Sequence, residues 1–468
     1  GRTLLERSRN AAAEGDSLVA SRRWDEAQTS FNASKSFYRQ LVDRQEGVPE
    51  HLQVMASYQI VRASYQMEDY PAVVRDAEEI LRRFPGSEYH EAALYDAGWA
   101  QYHMGQYQEA IEAYQQLLAS AADVLKFDRA LFQIGESYFA LSDYEEARTW
   151  YRKLVDKYDF STLSEKELQE MKTQRLRGLV EETTRELVAK AQIRIADSHA
   201  LQKDIPAAIH AYSQVPGRYP QEDLLVQKSY DNMATMVLQE RGTRAGIEVL
   251  RQAIERVADA EFRGRVQLKI AKAFYGAGDF AQAISEYEVY KKAYGDRALA
   301  IGVPLDQVDF LVAEAYRDLA RIEDREENLQ RARDRYRYLL EQYPKSTRRP
   351  EAQYGLGHAE YGLGNYPQAA ASFAAAAAAP RAPVVPHALN WQARLAFAAG
   401  EYEEALHWYQ EVLDQYPGSV LEGQIWKDKA LVYKKLGRVD EAIAAFARKP
   451  YQGTEPASSR NGAGSEID

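Results

Sequence analysis

The chain has 468 residues, 28% of them charged, with a formal net charge of −11 and a hydrophobic fraction of 46%. An acidic balance argues against nucleic acid as a partner, because phosphate binding needs a basic face. The lack of any cysteine excludes disulfides, zinc-thiolate sites and thiol chemistry without choosing a compartment. Tyrosine is over-used, at 32 against 14 Phe and 6 Trp. Its ring is apolar and its tip polar, which suits half-buried surfaces.

The chain opens at Gly1 in helical text (Leu4, Leu5) and reads as processed or trimmed. A signal peptide or lipid-anchor cysteine lost from such a chain would leave no trace. No run of 18 apolar residues occurs, so no membrane-spanning helix is expected.

In chain order, one pattern recurs: a small residue, a Gly-x-Tyr turn, then Ala with a ring four residues on. The stretch from Gly98 shows it best, with Gly105-Gln106-Tyr107 as the turn and Ala110 and Tyr114 on one face of the following helix. The Ala-equivalent positions are Ala27, Val73, Ala110, Ala147, Ala208, Gly246, Ala283, Ala332, Ala369, Ala405 and Ala442. Their successive spacings are 46, 37, 37, 61, 38, 37, 49, 37, 36 and 37. Four residues after each stands a large residue (Phe31, Tyr114, Tyr151, Tyr212, Leu250, Tyr287, Tyr336, Phe373, Tyr409, Phe446), with Ala77 the exception. Gly98, Gly135 and Gly357 lie twelve residues before their Ala marks, where Ala196, Ala271, Ala393 and Ala430 substitute. Small residues there let two helices approach closely.

Pro71, Pro206 and Pro367 each fall two residues before a mark and fix the start of a second helix, since proline is tolerated in a first turn. FPGS (84–87), YPQ (219–221), YPKS (343–346) and YPGS (416–419) separate units, with Pro ending one helix and Ser available to cap the next. Three spacings are long. The extra residues are expected near Leu41–His51, near Ala320–Gln330, and in the charged, Pro-free stretch Ser161–Leu187, read as added helix. Pro380–Pro386 reads as a stiff extended link. From Lys449 the small, polar text reads as a flexible tail.

This pattern resembles the tetratricopeptide repeat, over roughly residues 15–447. The resemblance rests on the small first-helix residue, the Gly-x-Tyr turn, the Ala with its ring and the linker Pro. The spacing is nearer 37 than the usual figure of about 34, and the early Trp is mostly absent. The Tyr-Pro-x-Ser links resemble the bacterial envelope subfamily that includes the outer-membrane barrel-assembly lipoprotein and the Tol–Pal coordinator.

The expected fold is all-α, a right-handed α-solenoid of about eleven such hairpins. The expected organisation is an N-terminal array over 1–160, a charged helical insertion over 161–187, a C-terminal array over 188–448 and a tail over 449–468. In such a stack the first helices line the concave side. The register puts Tyr58, Arg62 and Tyr65 there, then Tyr95, Trp99 and Tyr102, Phe132, Glu136 and Phe139, and Lys272 and Tyr275. Tyr354, His358 and Tyr361 follow, with Asn390, Arg394 and Phe397. A groove of rings with sparse charges fits a protein or peptide segment, and Tyr, Trp and Arg are frequent interface anchors.

No chemistry announces itself. The eight His are scattered without H-x-x-x-H or HExxH spacing, and no Gly-rich phosphate loop or G-x-S-x-G elbow occurs. Neither cofactor nor metal is expected. The leading expectation is a non-enzymatic adaptor in a bacterial envelope or periplasm, with peripheral or lipid-anchored membrane association through a segment before Gly1. The alternatives are a cytoplasmic setting and a structural subunit bound through its convex face, the 161–187 insertion or the tail.

Overall fold

In a computed structural model, residues 2–20, 23–43, 47–120, 124–158, 182–379 and 382–448 are described. Among them every regular element is helical, and the chain divides into two units, Gly1–Val257 and Ala258–Asp468. The tail over 449–468 and most of the insertion over 161–187 lie outside the described residues; 182–187 begin a helix.

The first unit holds α1 (Arg2–Ala20), α2 (Trp24–Asp43), α3 (Glu50–Gln66), α4 (Tyr70–Arg83), α5 (His90–His103) and α6 (Tyr107–Ser120). It continues with α7 (Val124–Ala140), α8 (Tyr144–Lys157), α9 (Glu182–Leu201), α10 (Ile205–Arg218), α11 (Asp223–Arg241) and α12 (Thr243–Arg256). They pair as six hairpins, α1–α2 through α11–α12, and α9 packs on both α8 and α7, so the fifth hairpin stacks directly on the fourth.

The second unit holds α13 (Ala260–Gly276), α14 (Phe280–Tyr294), the short α15 (Ala298–Ile301), α16 (Leu305–Leu319), α17 (Arg325–Gln342) and α18 (Arg349–Gly362). Then come α19 (Tyr366–Ala377), α20 (Val385–Ala399), α21 (Tyr402–Gln415), α22 (Glu422–Lys435) and α23 (Val439–Phe446). They make five hairpins, which brings the described hairpins to the eleven expected from the Ala marks. Each unit is a run of the tetratricopeptide-like solenoid kind.

The small-to-ring register is what holds each hairpin shut. A Cβ added to Gly98 would sit 3.0 Å from the Tyr114 ring, and one on Gly135 would sit 2.5 Å from Tyr151. Gly15 and Gly357 stand in the same relation, at 2.6 Å, to Phe31 and Phe373. In each pair the glycine lies sixteen residues before its ring, so the ring fills the space that a side chain would take. From the first hairpin to the tenth the register residue is at most 2% exposed. Apolar clusters then span neighbouring hairpins, as where Leu94, Tyr114 and Leu117 of the third meet Ala130 and Ile134 of the fourth. Gly135→Val should therefore cost about 1–3 kcal/mol despite the better helix propensity of Val, because the Tyr151 ring must leave its rotamer. A melting curve checks this, and an unchanged midpoint would contradict the packing.

The turns follow a second rule. Asp69, Asp143, Asp204 and Asp279 each accept a hydrogen bond from the backbone N–H three residues on, at 3.2–3.3 Å, capping α4, α8, α10 and α14. The residue before each cap is left-handed: Gly278 at φ 78° without strain, but Glu68, Ser142 and Lys203 at φ 56–62° with a side chain. Pro71, Pro206 and Pro367 sit in first turns as expected.

Three expectations are corrected. Two linker serines do not cap: Ser87 and Ser419 Oγ have no partner, α5 and α22 begin without a side-chain cap bond, and the Ser87 backbone carbonyl accepts from His90 N–H instead, whereas Ser346 Oγ accepts the Arg348 N–H at 3.0 Å at the start of α18. The extra residues assigned to Ala320–Gln330 are shared with 295–304, where a 3-10 turn and α15 are inserted before α16. Pro386 is not part of an extended link but stands in the first turn of α20.

Candidate functional site

Most of the expected first-helix residues fall into one ring cluster, one charged ladder and one cleft, while Phe132, Lys272 and Tyr275 stand apart from them. On α3 and α5 the Tyr65 ring lies 4.5 Å from Trp99, and Trp99 lies 3.8 Å from His103. Tyr70, the first residue of α4, closes the group at 5.6 Å from Trp99 and 5.5 Å from His103. Tyr58 stacks on Tyr89 at 4.8 Å, and Tyr95 meets the buried Tyr114 edge-on at 5.7 Å. Arg62 is exposed beside them. These neighbours are assembled by hairpin stacking, since α3 and α5 belong to consecutive hairpins.

Asp96 sits inside this region, hydrogen-bonded to Tyr58 with Arg62 and Lys126 nearby. Burial pushes its carboxyl up to about 6, more than those three neighbours can offset. Because the folded state holds the proton more tightly than the unfolded chain, the ionised form costs stability. That cost is absent below about pH 4, grows between about pH 4 and 6, and is complete above pH 6, on the order of 2–3 kcal/mol. Asp96→Asn should flatten this stretch of the stability–pH curve and stabilise the protein at pH 7. A variant with the wild-type slope in urea titrations at pH 4–7 would contradict it.

Tyr102, Phe139, Tyr275, Tyr361 and Phe397 share a role that the register did not reveal. Each meets the ring five residues on, at the start of the second helix, with centroids 5.1–5.6 Å apart: Tyr107, Tyr144, Phe280, Tyr366 and Tyr402. The signal was present as an aromatic pair five residues apart flanking each of these five turns. These ring pairs bridge the turn within one hairpin, most of them edge-on.

Through α7, α9 and α11 the face is charged rather than ring-lined. Arg194 holds Glu136 with two bonds of 2.7 Å and lies 3.6 Å from Asp197, which is 3.6 Å from Lys228. The Arg194 guanidinium also lies 4.8 Å from the Phe139 ring centroid. The expectation of sparse charge fails here because the buried rings are Tyr151 and Tyr212, whose hydroxyls donate to Glu136 and Asp197. An acid fifteen residues before the ring satisfies it. Where that position is Trp99, the Tyr114 hydroxyl stays buried without a partner. Phe132 packs on the Tyr151 ring at 5.6 Å, apart from the cluster around Trp99.

In the second unit Lys272 is exposed and Tyr275 donates to Asp318, away from the remaining expected residues. Tyr354, His358 and Tyr361 converge on Trp391, a residue the register missed because it lies one position past Asn390. His358 is 4.9 Å and Tyr361 5.0 Å from Trp391, and Tyr354 is 4.6 Å from His358. Burial, helped by Arg317, Arg394 and His387, pushes the His358 imidazole down to about 4, so it is neutral at physiological pH. Tyr361, Asn390, Arg394 and Phe397 share a cleft of about 480 Å3 with Trp391, Tyr409, Gln424, Asp428 and Leu431. Among the described residues no group of three or more His, Cys, Asp or Glu side chains could hold a metal ion, and no helix is long and apolar enough to cross a membrane.

Profiles of the tetratricopeptide repeat match residues 58–124, 95–162, 265–296 and 354–420, so these stretches are tetratricopeptide repeats. They contain the ring cluster around Trp99 and most of the cleft around Trp391. A search of curated proteins returned no match. The C-terminal part of a tetratricopeptide-repeat protein from Cytophaga hutchinsonii is 15% identical, with a TM-score of 0.41, covering 55% of this chain and 94% of its own. The tetratricopeptide domain of P58(IPK) is 15% identical at a TM-score of 0.27, covering 92% of this chain and 98% of its own. Yeast Tom70 is 13% identical at a TM-score of 0.32, covering 94% of this chain and 91% of its own.

Proposed function

We propose that this chain is a non-enzymatic protein–protein interaction scaffold that binds a partner segment on its first-helix faces, in a bacterial cell envelope. Tetratricopeptide repeats are modules that bind proteins or peptides. The observation that carries the reading is the cleft beside Trp391, into which α20 turns Asn390, Arg394 and Phe397 together. The Tyr-Pro-x-Ser links support the envelope setting, and fractionation of the native source tests it, with recovery in the cytosol as the contrary result.

The binding reading is tested by comparing the proteins captured by wild type with those captured by Arg62→Glu, Arg394→Glu and Trp99→Ala. Helicity is followed in parallel. The expected result is loss of one specific protein from the variants with helicity intact, and Lys434→Glu as a control that keeps it. Unchanged capture would sink the assignment.

A second reading, a structural subunit of a larger assembly, is favoured by one observation. Phe446 is 73% exposed although it stands at the register position that is buried in the other hairpins, and Val439 and Ile443 are 62% and 63% exposed on the same helix. Phe446→Ser would abolish assembly and spare peptide capture on that reading.

A further inference from the structure

Tyr102, Phe139, Tyr275, Tyr361 and Phe397 each stand eight residues before an Ala mark and meet the ring that opens the second helix. In the first hairpin the same two positions hold Val19 and Trp24. Valine is too small to close the turn as a ring does, and Trp24 is left 58% exposed with no ring beside it among the described residues. Both residues line a cavity of about 310 Å3. Its floor is apolar: Ala27 and Phe31 are each 2% exposed, and Val19 and Met67 pack against them. Its charged lining is acidic only, with Asp25 from the first turn of α2 and Glu68 from the turn after α3, both exposed. Neither carboxylate enters an ion pair among the described residues, whereas the neighbouring Arg23 is taken up by Glu26 at 2.7 Å.

We propose that this cavity binds an organic cation on an apolar stem, of the alkylammonium or lysyl side-chain kind. The face of an indole attracts a cation through the ring quadrupole, more strongly than Tyr or Phe does. The ammonium group donates to Asp25 and Glu68, and hydrogen bonds between charged partners are the strong ones. The stem lies against Phe31 and Met67, where each methylene taken out of water adds to affinity. An anion is repelled by the two carboxylates, and a neutral apolar group gains nothing from them. The volume stands at the lower end of the usual range of small-ligand sites, about 300–1,000 Å3, which suits one side chain or one small molecule. The cavity sits at the turn end of the first two hairpins, and none of its lining residues belongs to the groups around Trp99, Arg194 or Trp391. The site therefore goes beyond the binding role of the first-helix faces and does not depend on it.

The test uses the full chain labelled with fluorotryptophan and read by fluorine NMR, with Trp24→Phe assigning the Trp24 signal. The cationic probes are pentylamine and N-acetyl-lysine methylamide. Their neutral counterparts are pentanol and N-acetyl-norleucine methylamide, and hexanoate is the anion. At least pentylamine should shift the Trp24 signal saturably, at a concentration roughly tenfold lower than pentanol needs, and hexanoate should leave the signal in place. A response to pentylamine without the lysine amide supports a free amine as the ligand, and a response to both supports a lysyl side chain carried by a protein. The double variant Asp25→Asn with Glu68→Gln should erase the advantage of the cations over the neutral probes. Val19→Phe, which restores the ring pair of the other turns, should abolish the shift while the melting temperature holds or rises. Equal response to pentylamine and pentanol, or a cation preference that survives the double variant, would overturn the inference. A fall in melting temperature in Val19→Phe would show that the space is already filled and overturn the cavity. No saturable shift with either cation would overturn the inference outright, and the capture comparison above would still decide the role of the first-helix faces by itself.

Discussion

Replacing Tyr336 with Ala should destabilise the second unit by about 3–5 kcal/mol, the largest single loss expected in the chain. The ring is fully buried on α17 between the eighth and ninth hairpins, in a cluster with Ala313, Ala332, Leu339, Ala352 and Leu356. It also fills the space over Gly355, where an added Cβ would sit 2.3 Å from it. Its hydroxyl donates to Glu314, which Arg317 holds with bonds of 2.6 and 2.7 Å. Burial, with Glu314 beside it, drives the phenol far above its ordinary range, so the hydroxyl stays protonated and donating. Tyr336→Phe separates the contributions: it keeps the ring and removes only the hydrogen bond to a charged acceptor, about 1.5–3 kcal/mol. Chemical denaturation of the two variants checks both figures. A Tyr336→Ala loss no larger than that of Tyr336→Phe would mean that the ring does not seal the hairpin.

Arg194→Ala should cost about 2–4 kcal/mol in the first unit, because it strands partly buried carboxylates rather than because the pair itself is strongly stabilising. Glu136 and Asp197 side chains are 12% and 16% exposed, and Glu136 already accepts the Tyr151 hydroxyl. The double variant Arg194→Ala with Glu136→Gln should recover part of the loss, since an amide can be buried more cheaply than an unpaired carboxylate. A double-mutant cycle measures this coupling. Additive losses would show that the ladder is solvated and does not tie the fourth hairpin to the fifth.

Which parts were legible in the sequence follows from the range of the interactions. The Gly-to-ring relation of Gly135 and Tyr151 spans sixteen residues within one hairpin, and Pro206 fixes a helix start by its own ring, so spacing alone exposed both. The bond between Glu136 and Arg194 spans 58 positions and crosses the stretch 161–187. No local period announces it, and the face was therefore expected to be poorer in charge than it is. Trp391 escaped for a different reason: it sits one position off the register that selected Asn390, and only the approach of α18 to α20 brings it to Tyr361 and His358. Glu68, Ser142 and Lys203 replace the turn glycine at left-handed positions, so a search keyed on glycine weakens there while the Asp cap after each continues.

The central claim is that partners meet the first-helix faces, and position-resolved photo-crosslinking in cells of the native source tests it most directly. A photoreactive residue is placed in turn at Arg62, Trp99 and Arg394 on first helices, and at Glu112, Glu248 and Glu404, which are exposed on second helices. The account predicts one adduct recurring at 62, 99 or 394 and none of comparable yield at 112, 248 or 404. Adducts confined to the second-helix positions, or to Phe446 when it is labelled in the same way, would contradict it.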